Sequence, residues 1–372
     1  MRRALAFLRS AVSFPAVSLG VGVAALTAPA TAATLFMGSY PDRILAFDED
    51  KGAITGSMRL ETGLPTSMQS SQDGKKIYVT TITTSGIEVI DTATRQITNR
   101  FSLNDGATKY RFSSGAPDAA GNFFYTIVTR IDKGTDKYTV GKPQYAKIDL
   151  KRQTIVQTAD VEEKDERSGG GRAALKVSPD GRFLYVFGKK ILVVDTADLK
   201  VVERIDLAKP DGTGMENVGF GRALDAIDAS GQFVSLFNAT DPYVHNKVFG
   251  VARFDLNSRR FDFAPIGPAP ESMAGLQVAP DGKEAYTVVT TGKYGNKRCE
   301  FWRFDLAESR VLDKAEFQCR SRFTFGLSGD ASKLYIYGAS YDIEVYDART
   351  LKHETTWDLG HDTTGAGMVV VR

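Results

Sequence analysis

Along most of this chain, short apolar runs stop at an aspartate that opens a turn, and then the pattern starts again. The stops are Asp48, Asp91, Asp149, Asp195, Asp255, Asp305 and Asp347, as in Val89-Ile90-Asp91, Val193-Val194-Asp195 and Val345-Tyr346-Asp347. Between them recurs a second turn: Gln72-Asp73-Gly74, Ala119-Ala120-Gly121, Ser178-Pro179-Asp180-Gly181, Ala229-Ser230-Gly231, Ala279-Pro280-Asp281-Gly282 and Ser328-Gly329-Asp330. Each is followed by a short run rich in aromatic and β-branched residues, such as Lys76-Ile77-Tyr78-Val79 or Phe183-Leu184-Tyr185-Val186. Such residues suit a pleated, half-buried or buried surface. A period of roughly 40–60 residues built only of short strands and turns is the pattern of a β-propeller.

Each period reads as four antiparallel strands. The first precedes the Asp-Gly turn, the second follows it, the third ends at the repeating aspartate, and the fourth lies beyond, as in Val201-Val202-Glu203-Arg204-Ile205. The chain from Thr34-Leu35-Phe36-Met37 reads as a second strand with no first strand before it. Gly367-Met368-Val369-Val370-Val371 reads as a first strand with nothing after it. The expected fold is therefore all-β: a seven-bladed propeller of four-stranded blades, closed by the C-terminal strand joining the N-terminal blade. Closure removes the open sheet edges that would template aggregation.

This strand order sorts the connections. First-to-second and third-to-fourth turns fall on one face of the disc, and all are short. Second-to-third loops and links between blades fall on the other face, and these vary greatly in length. Long excursions run from Thr129 to Tyr145 in blade three, Asn238 to Val248 in blade five and Thr290 to Arg298 in blade six, with the links Asp160–Arg172 and Ala208–Arg222. Irregular loops on a rigid scaffold are where binding concentrates. Aromatic side chains anchor protein interfaces, so Tyr138, Tyr145, Tyr243 and Tyr294 are candidate partner-face residues, with His245 beside them.

The first 32 residues fall outside the repeat. Arg2, Arg3 and Arg9 open it, an apolar run from about Ala11 to Leu26 follows, and Ala30-Thr31-Ala32 offers a small-residue cleavage site. That order is a secretory signal, which implies a periplasmic chain of residues 33–372 forming one domain. Its removal takes three arginines and no acid, so the net charge moves from +2 to −1. No clustered basic excess of the kind nucleic-acid binding requires is left. No later run is apolar and long enough to span a membrane.

Candidate chemistry is sparse. Cys299 opens the third strand of blade six and Cys319 ends its fourth, so the two should lie opposite across one hairpin. In an oxidising compartment this favours a disulfide. His245, His353 and His361 show no metal-ligand spacing, and there is no C-x-x-C-H for covalent haem. Ser168-Gly169-Gly170-Gly171-Arg172 lacks the Lys-Ser/Thr and helix of a phosphate loop, and reads as a flexible link. Glu162-Glu163-Lys164-Asp165-Glu166-Arg167 reads as a solvated surface run. No catalytic, cofactor-binding or metal-binding residue is assigned.

The cassette Ser178-Pro179-Asp180-Gly181-Arg182-Phe183-Leu184-Tyr185-Val186, followed by Ile191-Leu192-Val193-Val194-Asp195-Thr196, resembles the YVTN-type repeats of exported bacterial propellers. The layout is most similar to the β subunit of quinohemoprotein amine dehydrogenase. The likeness lies in the long excursions before Asp149 and Asp255, the compact unit around Asp195, and the ending Tyr335-Ile336-Tyr337-Gly338-Ala339 to Val345-Tyr346-Asp347. The heavy chain of methylamine dehydrogenase is a more distant likeness. The resemblance implies a non-catalytic propeller whose partner subunits carry haem and a peptide-derived quinone. Two alternatives stand beside it: a lone propeller binding a small ligand or cell-envelope component, and a propeller lactonase or lyase using channel-facing acids and His245.

Overall fold

Seven antiparallel sheets succeed one another in the computed structural model, six of them built from strands consecutive in sequence and the first completed by the C-terminal strand. The residues it describes are 33–166, 173–188, 190–207, 216–220, 231–240 and 246–372. The proposed signal segment, the glycine-rich link, and residues Tyr243 and His245 lie outside them. Blade one combines Thr34–Ser39, Arg43–Asp48 and Ala53–Arg59 with the C-terminal strand Thr363–Val371. Thr34 stands opposite Val371, Leu35 opposite Val370 and Phe36 opposite Val369. The ring thus closes as the strand pattern implies. Among the described residues, no helix is long and apolar enough to cross a membrane.

The repeating aspartates are the mechanical reason the blades resemble one another. In all seven, a carboxylate oxygen accepts a backbone N–H three residues on, or two on at Asp195, over 2.6–3.0 Å. This Asx turn satisfies donors that the tight turn would leave bare. The residue four after each aspartate is left-handed: Gly52, Arg95, Gln153, Leu199, Arg259, Ser309 and Leu351 have φ between 49° and 59°. Only one is glycine. At Leu199 and Leu351 the side chains are buried, and their packing offsets a conformation that L-residues otherwise avoid.

The opposite turn uses a second device. Ser71 and Ser328 each donate to the aspartate two residues on, over 2.7 Å, and accept the N–H five residues on, over 2.9 Å. Gly181 takes φ +74° there, a value glycine reaches without a Cβ clash.

Between blades the core is apolar. Seven clusters fill the seven seams, for example Tyr185, Phe187, Phe233, Phe237 and Phe254 between blades four and five. Phe187 stacks on Phe233 with centroids 5.0 Å apart. The closing seam holds Leu35, Met37, Phe47, Tyr335, Tyr337 and Ile343. The inner stretches of the second and third strands are therefore buried on both faces, which explains their continuous rather than alternating hydrophobicity.

Cys299 and Cys319 form a disulfide, with S–S 2.00 Å and Cα atoms 5.3 Å apart. Cys299 pairs with Phe317 in the strand register, and Cys319 lies just past the end of the fourth strand, Arg310–Phe317. The bond ties blade six to the start of the link into blade seven.

Two expectations are corrected. The run 162–167 is not simply solvated: Asp165 is fully buried and grips Arg204 of blade four through contacts of 2.8–3.1 Å, while Glu162 takes the same guanidinium at 2.5 Å. A buried carboxylate needs such a partner. The excursion of blade three is not a loose loop either. It extends the strands Phe123–Lys133 and Tyr138–Asp149 as a paired hairpin whose register shifts between Thr129 and Ile131, and Tyr145 sits in its inner half, buried against Ile127, Leu175 and Leu192.

Candidate functional site

The surface residues that break the hydrophobic rule are not scattered. Tyr40, Tyr138, Val140 and Tyr341 are each 61–64% exposed, and Ile82 is also exposed. Tyr40 sits between the strands Thr34–Ser39 and Arg43–Asp48 of blade one. Ile82 sits between Lys76–Thr81 and Gly86–Asp91 of blade two, and Tyr341 between Lys333–Tyr337 and Asp342–Asp347 of blade seven. Tyr138 and Val140 begin the outer strand of the blade three hairpin. Tyr40, Ile82 and Tyr341 are thus on second-to-third connections and Tyr138 and Val140 at the start of a third strand, all at one face and on four consecutive blades: seven, one, two and three. Among the described residues, the other large exposed apolar ones, Val156 and Val202, lie on the outermost strands of blades three and four.

Each of these rim residues is presented by a short, well-tethered turn. Tyr40 N–H donates to Asp362 O at 2.9 Å, Leu359 N–H to Tyr341 O at 2.7 Å, and Ile82 N–H to Leu64 O at 3.0 Å. The blade three hairpin stands beyond the disc and is backed by the strand Thr108–Arg111, which pairs with Thr129–Asp132. Thr108 Oγ1 donates to Asp132 at 2.8 Å, and Arg130 holds the same carboxylate over 3.0–3.1 Å. These hydrogen bonds keep Asp132 ionised, well below the usual carboxylate range.

The second feature is the central channel, about 2090 Å³ in volume. The first strands line it with small and neutral side chains, among them Ser67, Ser114, Ala174, Gly275, Gly326 and Gly367. Its charged wall residues are uneven in sign: Arg111, Lys176, Lys297, Arg322 and Arg372 are basic, and Glu271 alone is acidic among the described residues. Glu271 accepts the Gly292 N–H at 2.9 Å. Among the described residues, no three of His, Cys, Asp and Glu converge as metal ligands.

The sequence-derived partner-face residues fare unequally. Tyr138 is on the exposed rim. Tyr145 is 1% exposed, its phenolic oxygen buried without a hydrogen-bond partner and pushed up by burial; alternation along the hairpin strand turns it inward. Tyr294 lies in a 3-10 turn, Tyr294–Asn296, on the same face of blade six. Tyr243 and His245 fall outside the described residues. His353 lies on the exposed fourth strand of blade seven with Nε2 3.0 Å from Thr356 Oγ1. Sequence reasoning missed Tyr40, Ile82 and Tyr341. Their signal was a lone large apolar residue in a polar turn, as in Ser39-Tyr40-Pro41-Asp42 and Ser340-Tyr341-Asp342.

These features define an all-β, seven-bladed propeller with a rigid, short-turned face and an apolar-studded loop face. Solved structures similar to it are bacterial propeller proteins. Hydrazine synthase of Kuenenia stuttgartiensis is 15% identical, with a TM-score of 0.50 over 83% of this chain and 95% of that one. Dihydro-heme d1 dehydrogenase NirN, in complex with DHE, is 13% identical, with a TM-score of 0.52 over 91% and 75%. The periplasmic gluconolactonase PpgL of Pseudomonas aeruginosa is 14% identical, with a TM-score of 0.51 over 91% and 99%. Identities this low establish the fold alone. Neither a family model nor a curated protein matches the sequence.

Proposed function

We propose that this protein is an exported, non-catalytic propeller scaffold that docks a protein partner on its loop face. The observation that carries the reading is the confinement of Tyr40, Ile82, Tyr138, Val140 and Tyr341 to one face and four adjacent blades. Isolated exposed apolar residues need no explanation. An arc of them on rigid turns, three of them tyrosines, has the composition of interface anchors. The disulfide fits an oxidising compartment, and PpgL, a propeller of the same fold, is described as periplasmic.

The resemblance to the propeller subunit of quinohemoprotein amine dehydrogenase supplies the class of partner: a subunit bearing haem or a peptide-derived quinone, with this chain holding no cofactor of its own. NirN, similar in fold, is a dehydrogenase. The propeller-enzyme alternative draws on one described channel carboxylate, Glu271, and otherwise on His245, outside the described residues.

The test is co-purification from the native host. The tagged wild type should retain a stoichiometric cofactor-bearing subunit, and Tyr40→Asp/Tyr341→Asp should lose it while keeping the wild-type thermal midpoint. A wild type that elutes alone, or a variant that retains the subunit, contradicts the reading.

A further inference from the structure

Several arginines of this molecule are held by carboxylates: Arg204 by Asp165, Arg303 by Asp313, Arg259 by Glu203 and Arg320 by Asp342 and Glu344. The basic residues at the loop-side mouth of the channel are not among them. Arg111 leaves the first strand of blade three, Lys297 stands in the second-to-third connection of blade six, and Arg322 lies in the link into blade seven. None of the three forms a salt bridge among the described residues. Lys297 Nζ instead donates to the Arg320 carbonyl at 2.9 Å and lies over the Phe323 ring. The one acid on this wall among the described residues, Glu271, accepts a backbone N–H. Arg320, two residues from Arg322, is by contrast paired twice.

Cations gathered around a concave, low-dielectric wall focus their field into the opening and attract anions. Guanidinium groups favour carboxylates because their N–H fork matches both oxygens. The size of the space decides what kind of anion. Sites for single small molecules occupy about 300–1000 Å³, and this channel is roughly twice the upper figure. Its small wall side chains, Gly275, Gly326 and Gly367 among them, leave room for a chain segment rather than gripping a compact ligand.

We propose that the mouth of the channel receives an acidic polypeptide segment of the partner docked on the rim, with Arg111, Lys297 and Arg322 as its carboxylate contacts. The inference rests on the proposed partner face and names the chemistry of what that partner presents.

The experiment uses the full mature chain and a fluorescein-labelled oligoglutamate, read by anisotropy, with an uncharged Gly-Ser peptide of equal length as control. The oligoglutamate should bind, weaken as salt rises, and lose about tenfold or more in affinity, roughly 1.4 kcal/mol, in Arg111→Ser/Arg322→Ser. Lys75→Ser/Lys151→Ser, on the turn face, should leave that binding unchanged. Oligoglutamate binding no tighter than the control overturns the proposal. So does loss of binding in Lys133→Ser/Lys137→Ser alone, which would place the site on the blade three hairpin. Stronger competition by an acidic polysaccharide than by the peptide overturns the assignment to polypeptide. Partner capture abolished by Tyr40→Asp/Tyr341→Asp but untouched by the arginine changes leaves the rim reading standing and removes this one.

Discussion

Tyr335 of blade seven donates its phenolic O–H to Glu49 of blade one, 3.1 Å away across the seam where the ring closes. Glu49 follows the repeating Asp48 and also accepts the Gly329 N–H at 3.2 Å. The closing strand joins blade one internally, so this carboxylate is a polar link between the last blade and the first. Burial is the dominant influence on Glu49 and raises its pKa above the ordinary value, against the two hydrogen bonds that favour the ionised form.

A raised carboxylate binds its proton more readily folded than unfolded, so its contribution is full below the unfolded value, about 4.3, and is lost as pH rises through the folded one. The thermal midpoint of the wild type relative to Glu49→Gln should therefore fall as pH climbs from about 4 to neutrality. A difference that grows over that range contradicts the assignment.

The turn aspartates work in the opposite direction. The Thr94 N–H and hydroxyl hold Asp91 below its usual value, so its contribution exists above the unfolded value of about 3.9 and disappears as pH falls through the folded one. Asp91→Ala should lower the thermal midpoint at neutral pH, and the gap from wild type should close in acid. A gap that persists unchanged at pH 2 would show that the carboxylate charge plays no part in the turn.

These seven turns were legible in the sequence because an Asx turn needs a particular side chain at a particular place. The closing strand was legible because the four-strand period left one strand missing at the start and one spare at the end. The disulfide followed from hairpin register. What escaped depended on partners distant in sequence. Asp165 stands in a run that looks solvated, and only the fold brings Arg204, 39 residues on, into contact with it. Leu199 and Leu351 adopt a glycine-like φ that no propensity would assign, because burial of their side chains decides the matter. The rim was sought in long loops, while Tyr40 and Tyr341 sit in short ones, where a lone aromatic in a polar turn is their one mark in the sequence.

The Arg204 site separates buried from exposed ion pairs. Removing its guanidinium strands Asp165, which is fully buried. Arg204→Ala should cost about 3 kcal/mol or more in urea unfolding. Arg130→Ala, which breaks the exposed pair with Asp132, should cost less than about 1 kcal/mol. Equal costs at the two sites would refute the burial argument.

Cys299 and Cys319 close a loop with a sequence separation of 20. In the loop-entropy account such a cross-link stabilises by about 3 kcal/mol. Cys299→Ala/Cys319→Ala should lose about that much in denaturant unfolding while keeping the all-β circular dichroism spectrum. A loss below about 1 kcal/mol would mean that the blade six hairpin is held by its strand pairing and by Phe301–Phe317 stacking without the bond.

The central claim, that one face of the disc docks a protein, is tested most directly by lysine cross-linking and mass spectrometry of the complex isolated from the native host. Lys133, Lys137 and Lys293 stand on the loop face; Lys51, Lys75, Lys151 and Lys283 stand on the turn face. The account predicts links to a stoichiometric partner from the first group and none from the second. Links confined to Lys51, Lys75, Lys151 and Lys283 would contradict it.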